Sequence, residues 1–301
     1  MRKSLRALLA GTVLAAGLVA VQPTAEAATG VYCKSTANPA MAAKLQRDLN
    51  HVVGQYGISK AIGVYDGKHH LYCLYNRYTN YRAASTMKAT ILAALLYKRH
   101  GHLSAWEQSQ ARPMIWQSDN TAASNLYSDV GGWSGVKAFL SKAGMNRTLR
   151  NPTGQGWGGT EENANDELLL LRLLTAHNTV LTDVSRTYEL GLMAGVTSSQ
   201  RWGTPAGVPV GVKVHVKNGW DGPDWYPTWY VHSLGTFNGG PKGANYMMDI
   251  MTQGTSFGYG QATIEAIARV VHRDLNPGQS LTARMVTPTN TEAILGDGSG
   301  N

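Results

Sequence analysis

Past residue 28 the apolar positions change their period four times. Met41, Leu45, Leu49 and Val53 recur at helical spacing and predict a helix. Residues 61–65 and 71–75 read as two strands joined across Asp66-Gly67, a favoured tight-turn pair. Next, Met87, Ala89 and the run Ile91, Leu92, Ala93, Ala94, Leu95, Leu96 crowd every face of a helix, which places that helix in the interior. From about 102 to 200 the periodicity is mostly helical, residues 167–174 included. Strand patterns return at 211–216, 229–234 and 246–251, and Ile264, Ile267, Ala268 and Val271 mark a last amphipathic helix. The polar residues 287–301 are expected to form a mobile tail. Strands at both ends and helices between predict an α/β chain of α+β sandwich type. Its antiparallel sheet is built from both chain ends and flanked by helices, with an all-helical subdomain inserted at about 86–205. All of this belongs to one domain over residues 28–286, with a cleft where sheet and insertion meet.

The first 27 residues read as an address. Arg2, Lys3 and Arg6 precede an apolar run from about residue 7 to 21, and Ala25-Glu26-Ala27 supplies a small-x-small cleavage signal. A signal peptide over 1–27 predicts a secreted, extracytoplasmic protein, and the absence of paired arginines favours the general route. Its removal lowers the net charge from +8 to +6. No later apolar run approaches the ~20 residues of a membrane span, so no membrane anchor is expected after cleavage. With 43% hydrophobic and 15% charged residues the chain is not disordered, and two cysteines exclude a disulfide-built miniature scaffold. In an oxidising compartment Cys33 and Cys73 are expected to pair, two buried thiols being the alternative. The basic residues form no run of five or more and do not interleave with aromatics, so no nucleic-acid partner is expected.

Three short motifs stand in order: Ser85-Thr86-Met87-Lys88, Ser118-Asp119-Asn120 and Lys217-Asn218-Gly219. The first alone is weak, because Ser134-Gly135-Val136-Lys137 has the same pattern. Context separates them: Ser85 opens the interior helix just after a strand pair, whereas Ser134 follows a Gly-Gly-Trp turn. Residues three apart share a helix face, so the Lys88 amine can reach the Ser85 hydroxyl. Serine is a poor nucleophile until a neighbouring base takes its proton, and the helix N-terminus offers N–H groups to a developing oxyanion.

With these motifs the chain resembles the penicillin-recognising serine enzymes, closest to class A β-lactamases and related secreted bacterial serine hydrolases. The resemblance runs from about Met41 to Asp274 and includes Ser118-Asp119-Asn120-Thr121-Ala122-Ala123 and the helix around Ala164-Asn165-Asp166. It implies a catalytic Ser85 that forms an acyl-enzyme, Lys88 as base or proton relay, and Ser118 as proton donor to the departing amine. It further implies substrate binding by Asn120, Lys217, Asn218 and Gly219, and an oxyanion hole from the backbone N–H groups of Ser85 and Trp220. Asp119 reads as a structural residue.

Two departures qualify the likeness. Asn218 stands where the third motif usually carries a hydroxyl, and its amide could still donate to a carboxylate. The resemblance also implies a loop glutamate that activates water to release the acyl group, yet no carboxylate occurs between Asp129 and Glu161. Glu161 or Glu162 could substitute, but Thr160 followed by acidic residues reads first as a helix start. The loop pattern Gly154-x-Gly156-x-x-Gly159 lacks a preceding strand and is set aside as a nucleotide site. His69-His70 and His100-x-His102 lack the partners of a metal site, so no metal or cofactor is expected. Trp220, Trp225, Tyr226, Trp229 and Tyr230 either line an apolar substrate wall or pack strands. The expected function is hydrolysis of a β-lactam or related amide or ester by a monomer. The alternatives are a penicillin-binding D,D-peptidase acting on cell-wall peptides, or a relative that binds β-lactams and releases them slowly or is non-catalytic.

Overall fold

The computed structural model describes residues 30–154, 156–222, 228–254 and 256–282. The expected signal peptide, the tail 287–301, Trp225 and Tyr226 lie outside the described residues.

Strand β1 (Tyr32–Ser35) is followed by helix α1 (Pro39–Gly54), whose Asn38 cap accepts the Met41 N–H. Strands β2 (Ser59–Asp66) and β3 (Leu71–Tyr75) form the expected hairpin, with Asp66 still in the strand and its carboxylate accepting the Lys68 N–H. Near the C-terminal end come β6 (Val212–Asp221), β7 (Trp229–Gly239) and β8 (Ala244–Gly254), then α8 (Phe257–Leu275). The six strands make one antiparallel sheet in the order β1-β3-β2-β8-β7-β6, so the two chain ends meet where β2 pairs with β8. α1 packs on α8, and α8 on β7 and β8. A Cys33–Cys73 disulfide crosses the β1–β3 ladder between residues in register.

Between β4 (Tyr81–Arg82) and β6 run α2 (Met87–Lys98), α3 (Ala105–Trp116), α4 (Asn120–Val130), α5 (Gly132–Ala143), α6 (Ala164–Thr175) and α7 (Asp183–Ala194). Every residue from Met87 to Leu96 is buried, as its all-round apolar surface predicts, and α2 packs against α3, α4, α5 and α7. Removing one of its large side chains, as in Leu92→Ala, would cost about 2–5 kcal/mol.

The insertion is not purely helical. Residues Glu161–Glu162 form a short strand, β5, paired with β4, and the helix after it is capped by Asn163, whose side chain accepts the Asp166 N–H. This corrects the expectation of a helix start at Thr160: pairing to Tyr81 and Arg82 captures the two acids before the helix begins. α6 then presses on the sheet at Gly63, where a Cβ would lie 2.7 Å from Leu168 and 2.9 Å from the Ala164 carbonyl. That contact fixes β5 directly behind the first turn of α2.

Candidate active site

Ser85 lies in a single 3₁₀ turn, Ala84–Thr86, that leads into α2. The residue before it, Ala84, has a left-handed backbone (φ +49°), a conformation that persists only where surroundings enforce it. Here the Ala83 N–H donates to the Thr160 carbonyl (2.8 Å) and the Ala84 N–H to the Gly158 carbonyl (2.9 Å). One helical turn on, Lys88 Nζ stands 2.6 Å from Ser85 Oγ, 2.6 Å from Ser118 O, 3.0 Å from Ser118 Oγ and 2.6 Å from Asn120 Oδ1. A neutral amine that accepts the Ser85 hydroxyl proton is the arrangement nucleophilic attack needs. Ser85 and Lys88 are both fully buried.

Ser118 occupies the turn between α3 and α4 with a positive φ of 61°. Pro113 inside α3 leaves its carbonyl to the Gln117 and Asp119 N–H groups, and Asp119 caps α4 by accepting the Ala122 N–H at 2.7 Å. The structural reading of Asp119 therefore holds. Asn120 is the first residue of α4, which aims its Oδ1 at Lys88.

Opposite the helices, β6 is an edge strand of the sheet, and its Lys217 and Gly219 face the serine side. Lys217, buried, donates to Ser118 Oγ at 2.9 Å and to the Asn218 carbonyl at 2.6 Å. Gly219 allows closer contact than any side chain would: a Cβ there would sit 2.6 Å from Thr86 N, 2.8 Å from Ser85 N and 2.9 Å from Ala83 O. Gly219 thus brings β6 against the serine turn, and Trp220 follows it in the strand. Its ring packs on Trp202 and Phe257 with centroids 5.8 and 5.7 Å away, and Trp229 also touches Phe257. Trp220 and Trp229 are buried, so of the two roles open to these aromatics, packing is the one they fill.

Asn218 departs from expectation. Both protons of its amide are committed, to the Gln200 carbonyl (2.8 Å) and the Trp202 carbonyl (3.1 Å). The cause is strand alternation: Lys217 and Gly219 share the face toward the helices, and the residue between them points away. Asn218 ties the 198–202 segment to β6 and has no proton left for a substrate carboxylate. The second S-x-x-K match is also placed: Ser134 and Lys137 lie exposed on α5.

The loop in which an acid was sought supplies other groups. The indole of Trp157, buried, lies 4.9 Å from Lys88 Nζ and donates its N–H to Ser124 Oγ at 3.1 Å. Glu161 is half-buried on β5, while Glu162 is fully buried with its carboxyl on Thr86 and Thr90 of α2, 2.8 and 3.3 Å away. Burial, opposed by the Thr90 hydroxyl and aided by Asp166, pushes the Glu162 carboxyl up to about 7. Neither Trp157 nor the Glu162–Thr86 contact was anticipated. Each joins residues far apart in sequence, and only Thr86, inside the first motif, marked its place.

A family model described as "Beta-lactamase enzyme family" matches residues 108–275, over half of the chain; it spans Ser118, Asn120 and Lys217–Trp220 but begins after Ser85 and Lys88. No curated protein matches the chain. Among solved structures the chain is similar to a class A β-lactamase from Mycobacterium abscessus, with 19% identity over 77% of this chain and 99% of that one and a TM-score of 0.63. It is similar to a β-lactamase from Streptosporangium roseum at 18% identity, 77% and 98% coverage and a TM-score of 0.64. A β-lactamase from Xanthomonas campestris gives 18%, 77% and 97%, and 0.64. Identities this low speak for a common fold.

Proposed function

The chain belongs to the β-lactamase enzyme family, and from that premise we propose that it is a secreted serine hydrolase that forms an acyl-enzyme on Ser85 with a β-lactam or related amide or ester. The observation that carries this reading is Lys88 Nζ standing between the hydroxyls of Ser85 (2.6 Å) and Ser118 (3.0 Å). Lys88, as a neutral amine, takes the Ser85 proton while Oγ bonds to the carbonyl carbon. The tetrahedral oxyanion settles between the N–H groups of Ser85 and Trp220, a pair of donors whose spacing is set by the tight approach of Gly219. As the C–N bond breaks, Ser118 passes its proton to the departing nitrogen and recovers one from Lys88. Lys217 holds Ser118 in place and attracts a substrate carboxylate, and the Asn120 amide binds the acyl donor's amide group. Water then cleaves the ester on Ser85.

The release step favours a second reading: a penicillin-binding D,D-peptidase, or a β-lactam-binding relative that lets go slowly. Its support is the 150–162 segment, which brings an indole to Lys88 and peptide carbonyls to the serine turn, and which turns Glu162 toward Thr86 and Thr90. Export rests on the signal-like residues 1–27 and accords with the Cys33–Cys73 bridge. Among the described residues no helix is long and apolar enough to cross a membrane. A monomer acting on small molecules or cell-wall peptides completes the proposal.

Incubation with a fluorescent penicillin, followed by intact mass over time, tests both readings. A transient adduct absent from Ser85→Ala supports hydrolysis, whereas a persistent one supports the slow-release reading. D-alanine released from a D-Ala-D-Ala peptide identifies the peptidase. No adduct with any of several β-lactams refutes the β-lactam reading.

A further inference from the structure

Behind the serine turn a count of protons gives an unexpected answer. Thr86 Oγ1 lies 2.5 Å from the Ala83 carbonyl and 2.8 Å from Glu162 Oε2. A hydroxyl has a single proton, and a carbonyl oxygen can only accept. The short contact to Ala83 therefore takes the Thr86 proton, and the contact to Glu162 needs a donor on the other side. A carboxylate cannot donate; a carboxylic acid can.

The surroundings suit the acid form. Glu162 is fully buried. Asp166 and Glu167 on α6 and Asp249 on β8 all interact with it as like charges, and the oxygens of Glu167 and Asp249 are buried without a hydrogen-bond partner. From β4, Tyr81 and Arg82 pair with β5 through their backbones. Lys88 shares α2 with Thr86 and Thr90 but directs its amine to Ser85 and Ser118. The segment that carries Glu162 also holds Ala83 and Ala84 through the carbonyls of Thr160 and Gly158.

We propose that Glu162 is a positioning residue: as a neutral acid it donates to Thr86 and so fixes the turn that presents the Ser85 hydroxyl and backbone N–H. Loss of that proton puts a charge against an oxygen whose own proton is already committed, and the serine turn loosens. Glu162 acts on the reaction through Thr86, and in this form it does not act as the base that activates water. Its effect on catalysis rests on the acyl-enzyme reading of Ser85; the location of the proton does not.

The test compares the wild type with Glu162→Gln, whose amide donates at every pH, and with Thr86→Val, which removes the acceptor. Ser85 acylation by a fluorescent penicillin and thermal unfolding are measured in the same buffers from pH 5 to 9. Because the two proteins differ only at this side chain, the wild-type to Gln rate ratio isolates Glu162. With the carboxyl titrating at about 7, that ratio should fall about tenfold between pH 6 and 8. The wild-type to Thr86→Val ratio should fall in parallel but from a value well above one, since the valine protein is slow even at pH 6. The wild type should also lose thermal stability relative to Gln as pH rises from 5 to 7. Acylation with a flat ratio would overturn the proposal. Should no variant be acylated, the acyl-enzyme reading fails; unfolding then decides the proton alone, and a pH-independent difference between wild type and Gln overturns it.

Discussion

A single methyl group placed at Gly219 tests how the sheet meets the nucleophile. An ideal Cβ there would lie 2.6 Å from Thr86 N, 2.8 Å from Ser85 N and 2.9 Å from Ala83 O, where ordinary contact begins at 3.4 Å. All three obstacles are backbone atoms, so no side chain can rotate out of the way. Either β6 retreats by most of an ångström or the serine turn does. β6 is held on its other side by continuous pairing with β7 from Val212 to Asp221, and the turn by the carbonyls of Gly158 and Thr160. Neither yields freely, and Gly219→Ala should cost about 1–3 kcal/mol of stability, the usual range for overpacking. The functional cost is larger. With the proposed oxyanion hole of Ser85 and Trp220, the retreat separates the two N–H groups, and loss of one such donor slows acyl transfer by roughly 10²–10³. Stopped-flow acylation with a fluorescent penicillin and a denaturant melt measure the two separately. A variant that loses stability but acylates at the wild-type rate refutes the role given to Trp220. One unchanged in both refutes the close approach itself.

Other positions follow the same logic. Asn218→Ala removes two hydrogen bonds to the carbonyls of Gln200 and Trp202, and should cost about 1–3 kcal/mol while acylation stays near wild type. Lost acylation with an unshifted melt would instead put the amide on the substrate. Cys33→Ser opens a crosslink between residues 40 apart in sequence, worth about 4 kcal/mol in the chain-entropy account. The melting point should fall, reductant should lower the wild type's to match, and a reductant-insensitive wild type would contradict the bridge. Burial pushes the Glu167 carboxyl well above its ordinary value, with like charges at Glu162, Asp249, Asp166 and Glu189 adding to the effect. The folded state therefore keeps a proton that the unfolded state releases near 4.5, so stability declines as pH rises above that value. Glu167→Gln should be more stable than the wild type at pH 8 and lose most of that advantage at pH 4; chemical denaturation at both values checks it, and an equal difference at both would refute it.

What the sequence made legible is what repeats with a period. The interior helix declared itself because Met87 to Leu96 leaves no polar face, and the sheet because strand patterns bracket a helical middle. The meeting of Ser85, Lys88, Ser118, Asn120 and Lys217 was likewise legible, since each belongs to a short motif whose spacing has a mechanical reason. The errors came where pairing across the fold overrides local pattern. Reading β6 as ending at Val216 hid the alternation that turns Asn218 away from Lys217 and Gly219; the observed strand runs on to Asp221 because β7 pairs with it throughout. The acids after Thr160 carry helix-start chemistry, but pairing with Tyr81 and Arg82 outweighs it and moves the cap to Asn163.

The carboxylate-free stretch from Asp129 to Glu161 changes meaning once these contacts are known. Read as a sequence, it is a missing acid. In the fold its last residues are occupied: Trp157 covers Lys88, Gly158 and Thr160 hold the strained turn at Ala84, and Glu162 closes on Thr86. Each contact restrains Ser85 or Lys88, the proposed nucleophile and base, and the one carboxyl among them lies on Thr86. Under the acyl-enzyme reading proposed above, a loop so used favours forming the ester on Ser85 over delivering water to it, because rigid contacts preorganise attack while adding no new base. The balance between acylation and release is therefore the property most directly encoded in this segment, and restoring a carboxylate to it without loosening Ala83–Thr86 should speed release while leaving acylation unchanged.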